Sequence, residues 1–197
     1  GITTTGAADF TVEPKLSFSA PSGLPGDVIT VTGTGYSGSV AAGGAARVIV
    51  ADFDGTVIAL SPIGVKSNTS GTFIATFTVP ALTYGDYTFR ASDTATPVNT
   101  ASATFTIGAA LTVAPNSGPA GSIVTVTGRG FSTTAGTALS FTVDSTPAVE
   151  VTPIVTTSTG TFTGQIIIPS KAAQTAFATP YVVEASDGSE TAEAGFR

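Results

Sequence analysis

The stretch APSGLPGDVITVTGTGYS, at Ala20–Ser37, decides the fold of this chain because it occurs a second time, as APNSGPAGSIVTVTGRGFS at Ala114–Ser132. The β-branched run that starts at Val28 predicts a strand, and the Gly and Pro residues ahead of it predict a turn. A segment that returns with the same turn and the same strand indicates an internal repeat. We therefore expect one domain that is present in two copies.

Two further pairs of matching stretches follow in the same order in both copies. GTFIATFTVP from Gly71 returns as GTFTGQIIIP from Gly160, and DYTFRASD from Asp86 returns as PYVVEASD from Pro180. Matches that keep their order along the chain indicate a tandem duplication. The predicted segments are an extended N-terminal strand at residues 1–13, a first domain at 14–109 and a second domain at 110–197.

Short β-rich runs separated by Gly, Pro, Asn and Asp turns predict a sandwich in each copy. Phe73, Ala75 and Phe77 alternate with mostly hydroxylated residues, which is the pattern of a strand with one buried face. Tyr87 and Tyr181 stand where immunoglobulin-like domains carry the tyrosine corner. We predict an all-β chain of two tandem immunoglobulin-like β-sandwich domains, which has no disulfide because it has no Cys.

The sequence T-V-T-G-x-G-[FY], followed by G-T-F and by a Tyr-initiated strand that ends in A-S-D, occurs in both copies with small variations. It resembles the immunoglobulin-like repeats of bacterial and archaeal cell-surface proteins, close to the IPT/TIG type. The resemblance implies an extracellular or cell-surface location. Residue 1 is Gly and not Met, so we expect either that a secretion leader was removed or that the sequence is a fragment of a longer chain. Domains of this group occur in S-layers, adhesins, enzyme-attached spacers and archaeal extracellular filaments, so the resemblance does not choose among these roles.

The composition excludes most catalytic and nucleic-acid-binding chemistry. The chain has no His and no Cys, which excludes Ser-His-Asp and Cys-His nucleophile systems and the usual zinc sites. It carries 13 acidic and 7 basic side chains, a net charge of −6, and the basic ones are scattered, so we expect no nucleic-acid partner. No apolar run is long enough to cross a bilayer as a helix. We expect no enzyme, no cofactor and no membrane span.

One short motif is similar to the catalytic motif of a class of enzymes. In VIVADFDGTVIAL, at Val48–Leu60, a strand runs into D-x-D-G-T, which resembles the first motif of haloacid-dehalogenase-type phosphatases, with Asp52 as nucleophile and Asp54 as acid/base. Those enzymes need an α/β sheet and a later acidic pair, neither of which the sequence offers. The alternative is a β-hairpin that turns at Asp54-Gly55, a pair that tolerates positive φ. The second copy supports the hairpin, because its matching stretch also turns after an Asp.

Calcium is the metal ion that the remaining oxygen ligands fit, because Ca²⁺ binds carboxylates. The candidates are Asp52, Asp54, Asp93 and Asp187, which follow strands or lie in turns; turn formation is the alternative role of such Asp residues. Asn68, in Asn68-Thr69-Ser70, is the one N-glycosylation sequon, in a polar turn before a strand.

The N-terminal segment resembles the last strand of a repeat, and the last strand of the second copy is weak. The last strand of the first copy is ASATFTIG, at residues 101–108, and the N-terminal segment GAADFTVE offers Ala8, Phe10 and Val12 in the same facing pattern. The second copy ends in ETAEAGFR, at residues 190–197, a strand of weaker apolar content. A sandwich with a poor last strand leaves an edge of unpaired N–H and C=O groups that a free strand can fill.

These features predict a structural extracellular protein whose partners are copies of itself. A tail of 13 residues spans about 40 Å when extended, enough to reach a neighbouring subunit. A tail and an acceptor at opposite ends of the chain give a head-to-tail contact, which propagates into a filament. The alternatives are a segment of an S-layer or of a tandem immunoglobulin-like array, and an adhesin module.

Overall fold

The computed structural model describes residues 12–38, 47–95, 98–170 and 180–197. These ranges contain no helix, and hence none that is long and apolar enough to cross a membrane. The strands in chain order are β1 (Lys15–Phe18), β2 (Ser22–Gly23), β3 (Val28–Thr34), β4 (Ile49–Phe53), β5 (Thr56–Ile58), β6 (Phe73–Thr78), β7 (Gly85–Asp93), β8 (Thr100–Ile107), β9 (Ala110–Ala114), β10 (Ile123–Arg129), β11 (Ser140–Val143), β12 (Thr146–Pro147), β13 (Val149–Glu150), β14 (Phe162–Ile167), β15 (Tyr181–Ser186) and β16 (Thr191–Phe196).

Each repeat contributes two sheets. In the first repeat a three-stranded sheet has the order β1-β3-β6 and a five-stranded sheet the order β2-β8-β7-β4-β5. In the second repeat two four-stranded sheets have the orders β13-β14-β10-β9 and β12-β11-β15-β16. The short strand β2 runs parallel to β8, as a first strand that crosses to the opposite sheet does. The predicted all-β class with tandem immunoglobulin-like sandwiches is confirmed.

Aromatic rings fill both cores. In the first repeat Phe89 is fully buried, and its ring centroid lies 4.8 Å from that of Phe77 and 5.5 Å from that of Phe53. In the second repeat the rings of Phe131 and Phe162 meet edge to face at 5.0 Å. Edge-to-face aromatic pairs contribute about 0.5–1.5 kcal/mol each beyond the burial of their area, so these rings hold the sheets together without a disulfide.

Strand β6 has the alternation that the sequence predicts. Phe73, Ala75 and Phe77 are buried, while Ile74 between them is 63% exposed. One face of the strand therefore packs into the core and the other faces solvent, as the period of two requires.

The first glycine of G-x-G packs against the aromatic residue of G-T-F in both repeats. A Cβ at Gly33 would overlap the ring of Phe73, and a Cβ at Gly128 would overlap the ring of Phe162. Each ring occupies the space that a side chain at the glycine would need. The two separate motifs of the sequence are thus the two halves of one packing arrangement, and both repeats use it.

The chain divides into two compact units. The first comprises Gly1–Ala20, Ile29–Phe77 and Thr88–Thr104, and the second comprises Pro21–Val28, Thr78–Tyr87 and Phe105–Arg197. The boundary between residues 109 and 110 that the repeats suggest stays a prediction, because both units include strands of the first repeat.

Candidate assembly site

Val12, the last apolar residue of the predicted donor strand, lies just ahead of the first sandwich. Its side chain is 59% exposed. Ala8 and Phe10 lie outside the described residues. After Val12 the carbonyl of Glu13 packs against Gly35, at 2.6 Å from where a Cβ would stand, and Gly35 has a φ of 76°. Only Gly tolerates both this φ and this close approach.

The second repeat receives its preceding strand in the same way. The carbonyl of Gly108 and the Cα of Ala109 pack against Gly130, just as the carbonyl of Glu13 and the Cα of Pro14 pack against Gly35. Gly130 has a φ of 82°. In each repeat, the second glycine of G-x-G is therefore the residue against which the backbone of the entering segment packs. The sequence carried this signal, but sequence reasoning did not assign it.

This equivalence places Val12 at the position of Ile107. Each residue comes directly before the one whose carbonyl is seated on the glycine. Ile107 ends β8 and is fully buried, as is Phe105 two residues earlier. The two equivalent residues therefore differ in burial. Ile107 is buried in the core of the first repeat, whereas Val12 is exposed.

The second sandwich has its own last strand. Strand β16 pairs with β15 along its whole length, from Thr191 opposite Ser186 to Phe196 opposite Tyr181. Phe196 is buried in the core of this repeat. The prediction that this strand closes the sandwich poorly is therefore wrong for the chain by itself, because β16 pairs with β15 at six positions and buries both Ala192 and Phe196.

The end of β16 corresponds residue by residue to the end of β8. The N–H of Thr106 donates to the carbonyl of Pro21, and the N–H of Arg197 donates to the carbonyl of Asn116 at 2.9 Å. Arg197 is thus the counterpart of Thr106, and Phe196 that of the buried Phe105. The tail residues that match them by position are Thr11 and Phe10.

The motif D-x-D-G-T forms a hairpin. Strands β4 and β5 pair antiparallel around Asp54 and Gly55, which have φ values of 43° and 84°. Asp52 accepts hydrogen bonds from the N–H of Gly55 and from Nε of Arg90, both at 2.9 Å. Asp54 accepts one from the N–H of Thr88 at 2.8 Å. Both carboxylates thus serve the turn and its neighbouring strand, and the hairpin interpretation is confirmed.

Asp93 lies at the end of β7 and is only 3% exposed. One oxygen accepts hydrogen bonds from the N–H groups of Ala95 and Asn99, and the other from the N–H of Ser37 and the side-chain amide of Asn99, at 2.9–3.0 Å. Burial by itself raises the pKa of this carboxyl, but the hydrogen bonds outweigh it and lower the pKa to about 2. Asp93 closes the loop that follows the first glycine motif.

Asp187 has the same role in the second repeat. It accepts hydrogen bonds from the N–H groups of Ser132, Ser189 and Glu190 at 2.7–2.9 Å. Burial opposes these bonds, which nevertheless lower the pKa of Asp187. Burial and the charge of Asp187 raise the pKa of Glu190. The A-S-D motif thus ends in a carboxylate that caps the G-x-G-[FY]-S loop in each repeat.

The structure does not bring the calcium candidates together. Asp52 and Asp54 share a hairpin, and Asp93 and Asp187 each close a separate loop. The oxygens described above point at N–H donors, whereas a cation needs their lone pairs. Among the described residues no group of three or more acidic side chains could hold a metal ion.

Asn68 lies exposed in the turn before β6. Its Oδ1 accepts hydrogen bonds from the N–H groups of Ser70 at 2.9 Å and Thr72 at 3.0 Å. These bonds hold the oxygen toward the turn and leave the amide nitrogen, the atom that a glycan would occupy, without a role in the turn. The tyrosine corner is also present, because the hydroxyl of Tyr87 donates to the carbonyl of Thr83 at 2.8 Å.

No protein-family model matches the sequence, and the curated proteins give no match either. Among solved structures, the adhesin InvE of Yersinia pseudotuberculosis matches with a TM-score of 0.41 and 15% identity, over 95% of this chain and 60% of that one. The D0-D1 domain of intimin matches with a TM-score of 0.34 and 18% identity, over 92% and 97%. The Escherichia coli adhesin FdeC matches with a TM-score of 0.36 and 14% identity, over 97% and 66%. The likeness is distant, and no partner or activity is carried over from it.

Proposed function

We propose that the chain is a structural extracellular protein, the subunit of a surface filament whose copies join head to tail by donation of the N-terminal strand. The observation that carries this proposal is the position of Val12. It is equivalent to the fully buried Ile107, yet Val12 is 59% exposed. Val12 thus occupies a position that is buried in the first repeat, but no core among the described residues covers it. We infer that the sandwich of another molecule covers it.

The acceptor in this proposal is the second repeat of the next copy, where the tail takes the place of β16. Phe10 would fill the position of Phe196 and Ala8 that of Ala194, so the core receives the same aromatic side chain. Gly6 would stand where the buried Ala192 lies, so one core methyl group is lost. The main-chain hydrogen bonds to β15 are replaced one for one. Val12 adds a buried aliphatic side chain, which stabilises the exchanged state by on the order of 2 kcal/mol.

The surface composition is consistent with a polymer. Charged residues make up 10% of the chain, against about 25% in ordinary soluble domains. Free monomers use net charge for solubility, whereas surfaces that pack against copies of themselves can dispense with it. The proposed partners are therefore copies of the chain, and Asn68 is the proposed site of a glycan on the outer surface.

The first test compares the whole chain with a variant that lacks residues 1–13, by negative-stain electron microscopy. We expect filaments from the whole chain, none from the deletion variant, and shortened filaments when a free peptide of the tail is added. A Val12→Asp variant, which keeps the length of the tail, should lose filaments as well, because a charge cannot enter the core.

Disulfide cross-linking between introduced cysteines identifies the acceptor, because the chain has no natural cysteine that could interfere. Ser22 and Thr106 are partners across the parallel pair of β2 and β8. Ser117 and Thr11 are their counterparts, so a chain that carries Thr11→Cys and Ser117→Cys should give a ladder of disulfide-linked multimers. Paired strands lie about 4.8 Å apart, within disulfide reach. A matched control pairs Thr11→Cys with Val57→Cys on the edge strand β5.

Equal ladders from both cysteine pairs would reject donation into the second repeat. Dispersed particles from both the whole chain and the deletion variant would reject the filament. They would favour one of the alternative roles, a segment of an S-layer or of a tandem immunoglobulin-like array, or an adhesin module. In an array the tail completes the preceding repeat of the same chain, and the gene would encode further repeats upstream.

A further inference from the structure

A row of aliphatic side chains crosses the outer face of the sheet β13-β14-β10-β9. The register places Val149 of β13 opposite Ile167 of β14, and Ile167 opposite Ile123 of β10. Val149 is 64% exposed and Ile123 is 53% exposed. Directly opposite side chains in neighbouring strands lie about 5 Å apart, so these three form one continuous apolar strip, which we call the aliphatic row.

The same face carries almost no charge. The outward residues beside the aliphatic row are hydroxyls and one amide: Thr125, Thr127, Thr163 and Gln165. Arg129, at the end of β10, is the one charged side chain among the outward positions of β9, β10 and β14. The other sheet of this repeat differs, because Glu184 stands directly opposite Glu193. In a chain with a net charge of −6, the acidic groups are kept off this face.

The first repeat also has exposed aliphatic side chains on the corresponding sheet. Val28 begins β3 as Ile123 begins β10, and Val28 is 67% exposed. Ile74, an outward residue of β6 in the same three-stranded sheet, is 63% exposed. The matching sheet of each repeat therefore presents aliphatic side chains to solvent among threonines, although the individual residues differ.

We propose that the aliphatic row is a lateral contact between copies of this chain, through which head-to-tail filaments associate side by side; the filament part rests on the proposed function. A second copy is the occupant that the charges favour. A face without acidic groups meets its own copy without repulsion. Interface centres are depleted of charge, and interfaces between identical subunits are more apolar than others. A self-complementary face of this kind pairs around a two-fold axis.

The size of the aliphatic row predicts that single chains pair only at high concentration, about 1 mM, whereas filaments associate at lower concentration. Three partly exposed aliphatic side chains on each of two copies bury on the order of 500 Å² in total, well below the roughly 1,200 Å² of a stable interface. A single contact is therefore weak. A filament presents one aliphatic row per subunit at regular spacing, and many weak contacts made together hold by effective concentration.

The test uses Val149→Glu in the full chain. Val149 is exposed, so the substitution should leave folding unchanged within about 0.5 kcal/mol. The matched control is Val57→Glu, at a 72% exposed position on β5, in the other sheet of the first repeat. Bundle width and the number of filaments are scored separately in electron micrographs. We expect bundles from the wild type and the control, and single filaments of normal length from Val149→Glu. Bundles of equal width in all three, or single filaments from the wild type, overturn the proposal.

If no filament forms, the lateral contact is measured on the free chain, because the contact itself does not need a filament. Sedimentation velocity of the full chain at a concentration of about 1 mM then reports weak pairing directly. A dimer fraction that falls at least tenfold in Val149→Glu but not in Val57→Glu supports the lateral contact while the filament fails. A wild type that stays monomeric at that concentration overturns the lateral contact.

Discussion

Asp93→Asn removes one charge from a site that consists of N–H donors. One carboxylate oxygen of Asp93 accepts from the N–H of Ser37 and from the side-chain amide of Asn99, both at 2.9 Å. An amide nitrogen in place of this oxygen has no lone pair and directs its own hydrogens at both donors. The substitution therefore keeps the shape of the side chain, loses two hydrogen bonds and leaves buried donors unsatisfied.

The pKa of Asp93 gives the magnitude. A shift from 3.8 to about 2 corresponds to about 2 kcal/mol between the charged and protonated carboxyl. The pKa is lowered in the folded state, so this stabilisation is fully present above pH 3.8 and is lost as the pH falls through about 2. The amide adds unsatisfied donors, so we expect Asp93→Asn to lower the free energy of unfolding by about 2–4 kcal/mol near neutral pH.

Guanidinium unfolding near neutral pH and again near pH 2 measures this effect. We expect a large difference between wild type and variant at neutral pH and a much smaller one near pH 2, where the wild-type carboxyl is about half protonated in the folded state. Asp52→Asn, which weakens a pair with the half-exposed Arg90, is the matched control and should cost less than about 1 kcal/mol. A loss below about 0.5 kcal/mol at neutral pH, or an equal loss at both pH values, would refute the reasoning.

Three further substitutions test the fold. Tyr87→Phe removes the hydrogen bond to the carbonyl of Thr83, so the free energy of unfolding should fall by about 1 kcal/mol; an unchanged denaturation midpoint would contradict the tyrosine corner. Ser145→Gly relieves a non-glycine residue held at a φ of 65°, so thermal unfolding should shift upward by the equivalent of about 0.5–1 kcal/mol, and a downward shift would show that the turn needs the side chain. Gly128→Ala puts a methyl group into the ring of Phe162 and should cost more than about 2 kcal/mol, measured by chemical denaturation; a variant as stable as wild type would mean that the ring has room to move.

The sequence by itself determined the fold class and the strand faces. The internal repeat, the period of two in β6 and the Asp54-Gly55 turn are local signals, and local backbone preference together with burial decides them. The sequence also separated the hairpin from the phosphatase motif, because the second copy turns at the same place without that motif.

Only the tertiary structure decided what the glycines and the final Asp of each repeat do. Gly33 lies under Phe73, 40 positions along the chain, and Asp93 closes the loop at Ser37, so neither role has a local signature. The same holds in part for the candidate site. The facing pattern of the tail already aligned Val12 with Ile107. That Ile107 is buried, that Val12 is exposed, and that the next carbonyl packs against Gly130 or Gly35 depend on the packing of distant segments.

Strand β16 shows the limit of reading apolar content alone. Its Ala, Gly and Glu residues suggested a strand too weak to close the sandwich, yet it pairs with β15 throughout and buries Phe196. Pairing of a strand depends on its neighbour's unpaired backbone groups and on register, and both belong to the assembled sheet rather than to the strand's own residues.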